Sequence, residues 1–171
     1  MEDIVKPGIA LRASLMGPAL SLLAAAPVSA GTSTSQFRVT LTIQAECKLT
    51  VANDIAFGTT GVIQSTISAD GSIGAQCTNS TPYNIGLNAG AGSGATVNAR
   101  KMTATAGGTV NYMLYRDAAA TQIWGDTIST NTLSATGNGA VQTFTVYGRV
   151  PAQTTPAAGN YTDTVQVVIT Y

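Results

Sequence analysis

The chain has 171 residues, no histidine, and only 9% charged residues, with eight basic and eight acidic side chains that cancel. Ordinary soluble domains carry roughly 25% charged residues. This composition excludes a basic stripe for nucleic acid and an acidic field for cations, and it removes the commonest general base and metal ligand. The length suits one domain with a real core.

Residues 1–30 read as an export signal. Lys6 and Arg12 precede an apolar run from Ala13 to Ala26, and Pro27-Val28-Ser29-Ala30 supplies the small residues of a cleavage site. Glu2 and Asp3 dilute the positive start, so the true start lies further in or this region is long. Cleavage after Ala30 would leave residues 31–171 as the mature chain. The run is too short for a transmembrane helix and contains Pro18; no other segment is apolar enough to span a bilayer.

After a flexible Thr32–Ser35 stretch comes the most informative segment. Phe37, Val39, Leu41 and Ile43 alternate with Arg38, Thr40, Thr42 and Gln44, a strand pattern with one dry face. Such a strand belongs either to this molecule's own sheet or to a neighbour's. Cys47–Val51 starts a second strand, Asn53-Asp54 a turn, and Ile55–Gly58 a short strand end. Cys47 and Cys77 are an even count. In an exported chain they would most simply pair, closing a loop worth roughly 3–4 kcal/mol; the alternative is two buried free thiols.

Further strands are predicted over Ser72–Thr78, Tyr83–Leu87, Lys101–Ala104, Val110–Tyr115, Gln122–Trp124, Val141–Val150 and Tyr161–Tyr171. Gly90–Gly94 reads as a loop, Gly107-Gly108 as a hairpin turn, and Gly137-Asn138-Gly139 as a tight turn. No window shows sustained helical periodicity. The predicted fold is an all-β sandwich of the immunoglobulin-like kind.

Four features carry a family resemblance. They are the alternating strand ending in Ala45-Glu46-Cys47, the second cysteine in Gly74-Ala75-Gln76-Cys77-Thr78, and Val110-Asn111-Tyr112-Met113-Leu114-Tyr115-Arg116-Asp117. The fourth is Tyr147-Gly148-Arg149-Val150-Pro151 followed by Gly159-Asn160-Tyr161-Thr162-Asp163-Thr164-Val165. On these the chain resembles the spore coat U domain proteins, subunits of archaic chaperone–usher pili.

The resemblance implies an incomplete sandwich lacking its final strand. A periplasmic chaperone would fill the resulting groove first. At an outer-membrane usher, the N-terminal strand of another subunit, identical or related, would replace it. Carried over, Phe37, Val39, Leu41 and Ile43 are the donated side chains. Thr164–Tyr171, through Val165, Val167 and Ile169, is one groove wall. The expected organisation is a signal over 1–30, a donor extension over 31–46 and the pilin domain over 47–171, with no residues left after Tyr171 for a closing strand. The expected role is an extracellular shaft pilin serving adhesion or biofilm formation.

The alternatives are a monomeric secreted binding module with a complete sandwich, an outer coat structural protein, and a secreted hydrolase. The last is disfavoured. Asp54, Asp70, Asp117, Asp126 and Asp163 are scattered without calcium-loop spacing, there is no Gly-x-Ser-x-Gly elbow, and nothing around Lys48 or Lys101 supports a Ser–Lys pair. No cofactor or metal is expected. Tyr161-Thr162-Asp163 reads as a tyrosine corner rather than a ligand contact. Trp124 and the tyrosines read as core or inter-subunit packing rather than a sugar platform.

Overall fold

A computed structural model describes residues 27–171. The expected signal segment falls outside the described residues except for 27–30. The chain divides into two units, Met1–Thr40 and Leu41–Tyr171. In the first, residues 27–40 carry no regular secondary structure and are exposed.

The second unit is all-β, with no helix among the described residues. Its strands are β1 (Cys47–Asn53), β2 (Ile67–Cys77), β3 (Pro82–Leu87), β4 (Arg100–Thr103), β5 (Thr109–Tyr115), β6 (Leu133–Thr136), β7 (Val141–Val150) and β8 (Val167–Thr170). Five form one sheet in the order β1-β2-β7-β5-β4, and three form a second in the order β6-β3-β8. All pairings between these strands are antiparallel. This is the two-layer arrangement of an immunoglobulin-like sandwich.

Alternation fixes which face of each strand is dry. In β3, Tyr83, Ile85 and Leu87 are buried, while Asn84 lies on the opposite face. In β7, Val146, Gly148 and Val150 point inward and Thr143 and Thr145 outward. Trp124 closes the core with no exposed surface, its indole N–H donating to the Ile85 carbonyl at 2.8 Å. It is a packing residue, not a sugar platform.

Most predicted strands are present, β7 with the predicted bounds. Four places differ. β2 begins earlier than its pattern indicates, at Ile67, because pairing with β7 from Ile67↔Val150 to Gln76↔Val141 overrides the weak strand preference of Asp70 and Gly71. Ile55–Gly58 forms no strand; Ile55 and Phe57 instead pack over Gly71 and Gly148, where any Cβ would meet their side-chain atoms within 3.0 Å. Gln122–Trp124 contributes only an isolated bridge, Tyr115↔Ile123. β6 is a further strand with no prior signal, since Leu-Ser-Ala-Thr carries a weak pattern.

The predicted terminal strand is also shorter. Thr162 exchanges two backbone hydrogen bonds with Thr103, the last residue of β4, at 2.8 and 3.1 Å, whereas Val167–Thr170 pairs with β3 in the other sheet. The chain therefore crosses between layers at residues 163–166 and cannot hold one ladder throughout. The Gly107-Gly108 turn forms as predicted, both residues at positive φ (93° and 89°), which only glycine adopts without strain.

Candidate functional site

The sandwich is open along one side. β1 and β8 are edge strands of different sheets and approach one another. β8 pairs with β3 alone among the described strands. Between the layers beside β8 lies a cleft of about 460 Å³. Its floor is apolar and drawn from both sheets: Ile73, Leu87, Tyr112, Leu114 and Val146 all face it. Asn53, Asp54, Thr162 and Asp163 give it a polar margin.

The three residues expected to form a wall occupy distinct places. Val165 and Val167 line the cleft. Ile169 packs against the core from the same face of the chain but does not line the cleft. All three are only partly buried, while Gln166, Val168 and Thr170 between them are exposed. Val165, Val167 and Ile169 thus share the drier face of this segment.

The expected donor segment is equally uncovered. Residues 37–43 carry no regular secondary structure. Phe37, Val39, Leu41 and Ile43 are 88, 82, 86 and 76% exposed. Four large apolar side chains in strand alternation, all in water, are unusual for a soluble chain. Immediately after them, Glu46 and Cys47 enter the fold. The Cys47–Cys77 disulfide is formed, joining directly opposed residues of β1 and β2 with Cα atoms 4.1 Å apart.

One end of the cleft is held by a polar network that the sequence did not announce. The Tyr112 hydroxyl donates to Asp163 at 2.7 Å, while Asp163 also accepts from the backbone N–H of Ala91 at 2.7 Å and of Thr164 at 2.8 Å. Burial, then the bond to Asp163, holds the Tyr112 hydroxyl well above its ordinary pKa. Tyr161 donates to the Ala157 carbonyl at 2.7 Å, the geometry of a tyrosine corner.

Arg100 was also unforeseen. It has no exposed surface and donates to the carbonyls of Leu87, Asn88, Val97 and Trp124 at 2.8–3.0 Å. Burial lowers its pKa. The carbonyls it satisfies lie at the end of β3 and in the loops around it, so the residue is a structural tie. In sequence it is one arginine beside Lys101, with no motif to mark it.

The described residues include no histidine. No cluster of three His, Cys, Asp or Glu residues could hold a metal there. Lys48 pairs with Glu46 at 3.2 Å on the surface, and Lys101 donates to the Ser93 carbonyl at 3.2 Å. Among the described residues no helix is long and apolar enough to cross a membrane.

Residues 33–168 match the model of the spore coat protein U domain. The chain belongs to that family. It is 34% identical over 167 residues to Protein U of Myxococcus xanthus, covering 90% of this chain and 93% of that protein. Its fold is similar to a chain in the crystal structure of the CsuC–CsuE chaperone–tip adhesion subunit pre-assembly complex from the archaic chaperone–usher Csu pili of Acinetobacter baumannii. That match has a TM-score of 0.55 at 26% identity and covers 76% of this chain. This chain spans about 40% of the length of that one.

Proposed function

We propose that this spore coat U domain protein is a structural subunit of an archaic chaperone–usher pilus, polymerised by strand donation. One observation supports the reading: an exposed, alternating apolar segment and an open β8 edge occur in the same chain. Residues 37–43 are an exposed segment of alternating apolar residues with no regular secondary structure, and β8 pairs with β3 alone among the described strands. Inserting one chain's segment into another's cleft gives β8 a hydrogen-bonding neighbour and covers Val165, Val167 and the apolar floor. Burying four such side chains at roughly 1.5–3 kcal/mol each gives about 6–12 kcal/mol of gross stabilisation.

In this reading a periplasmic chaperone covers the cleft before assembly, an outer-membrane usher is where subunits exchange, and the product is an extracellular fibre for adhesion or biofilm formation. The protein is not an enzyme. The similarity to a chaperone-bound pilus subunit complex supports the chaperone step.

The test is deletion of Thr32–Ala45. Co-expressed with its chaperone, the truncated chain should form a stable one-to-one complex and no fibres, while the intact chain polymerises. Fibres from the truncated chain, or a stable cleft-filled monomer from the intact chain without chaperone, would overturn the reading.

A further inference from the structure

We infer that the Cys47–Cys77 disulfide is a mechanical clamp, which passes load from the N-terminal segment past the edge strand β1 into the interior strand β2. The inference rests on the strand-donation reading, because only a donated segment carries tension between subunits.

The last apolar residue of the segment, Ile43, lies four residues before Cys47, so any pull on a donated segment reaches the fold at Glu46 and Cys47. β1, which begins there, is poorly suited to bear it. It is an edge strand paired only with β2, and its register slips between Leu49 and Val51. Pulled from its first residue, an edge ladder opens one bond at a time.

The disulfide bypasses that ladder. Cys77 is the last residue of β2, an interior strand whose pairing with β7 runs unbroken from Ile67 to Gln76. Force entering there meets a strand paired on both sides, with β1 and with β7, and ten residue pairs long on the β7 side, rather than an edge strand with a broken register. Two hydrogen bonds reinforce the junction. The Glu46 carbonyl accepts from the Thr78 N–H at 2.9 Å, and the Glu46 N–H donates to the Thr78 hydroxyl at 3.1 Å. Both lie one residue outside the disulfide, on the side from which the load arrives. Cys77 and Cys47 are both buried, which protects the clamp from reductants.

The experiment is single-molecule force spectroscopy on the full mature chain in complex with its chaperone, oxidised and then reduced. In one geometry the handles are fused ahead of Thr32 and after Tyr171. In the other the first handle is coupled at residue 61, in the exposed β1–β2 loop, which loads β2 from its other end. Pulled from the N-terminus, the oxidised chain should open in one high-force event, because the bond locks the segment between the cysteines. The reduced chain should show an earlier low-force step, as β1 and its loop pull out, and up to about 100 Å of additional extension.

Pulled from residue 61, reduction should leave the unfolding force unchanged. An equal loss of force in both geometries would make the disulfide a general stabiliser and overturn the clamp. So would the absence of an early step in the reduced chain. Neither result depends on whether fibres form, so failure of the clamp and failure of the strand-donation reading are separable.

Discussion

The Tyr112 hydroxyl and the Asp163 carboxylate, 2.7 Å apart, join β5 of the large sheet to the crossing that leads into β8 of the small one. Asp163 reaches Ala91 and Thr164 as well. This single carboxylate thus fixes where the last strand leaves one layer and enters the other, and so sets one end of the cleft.

The substitution Tyr112→Phe should cost about 1–3 kcal/mol, because it removes one donor from a partly buried carboxylate while keeping the ring. Denaturant unfolding of the chaperone-bound chain measures it. A change within error would mean that the backbone donors alone satisfy Asp163.

Burial of Tyr112, with its bond to Asp163, sets an alkaline limit. The Tyr112 pKa is raised in the fold, so the unfolded chain loses its hydroxyl proton first as pH rises through about 10. Above that point the unfolded state binds fewer protons and stability falls with pH, until the folded-state pKa is passed. Tyr112→Phe should flatten the decline above pH 10 without abolishing it, since burial also raises the Tyr83 pKa. An unchanged slope would contradict the assignment.

Arg100→Met should be among the most damaging substitutions in the chain. It keeps most of the volume but strips hydrogen bonds from four backbone carbonyls. Leaving even two buried acceptors unsatisfied costs about 2–6 kcal/mol. Thermal unfolding of the chaperone complex should show a large fall in midpoint, or no complex should accumulate. A fall no larger than that of Lys101→Met would place Arg100 outside the core.

Reducing the Cys47–Cys77 bond should lower equilibrium stability by roughly 3–4 kcal/mol through the freed loop. The midpoint of denaturation with and without reductant measures this. No shift would mean that the unfolded chain is already constrained there.

The substitution Leu41→Asp should shorten or abolish polymers while leaving the chaperone-bound subunit's unfolding unchanged, because Leu41 is 86% exposed in the unassembled chain. Light scattering and thermal unfolding together separate the two effects. Equal loss of both would make residues 37–43 part of the chain's own sheet.

Strands with strict alternation and turns with glycine pairs were legible: β5, β7 and the Gly107-Gly108 hairpin follow from local patterns. What was not legible depends on partners distant in sequence. β2 extends through Asp70 and Gly71 only because β7 lies beside it, and Ile55 and Phe57 leave the strand state only because Gly71 and Gly148 open space for their side chains. The apolar segment at residues 37–43 announced itself through alternation. The cleft could not, since its floor gathers Ile73, Leu87, Tyr112, Leu114 and Val146 from four strands. Arg100 and Asp163 are ordinary polar residues until the fold buries one and surrounds the other with donors.

The most direct test places a photoreactive residue at Leu41 and assembles a mixture of ¹⁴N- and ¹⁵N-labelled chains. Cross-linked peptides are then read by mass spectrometry. Strand donation predicts links from position 41 to residues lining the cleft, such as Leu114, Val146 or Val167, with half of those links joining a light chain to a heavy one. Links confined to a single isotope, or none reaching the cleft, would contradict the account.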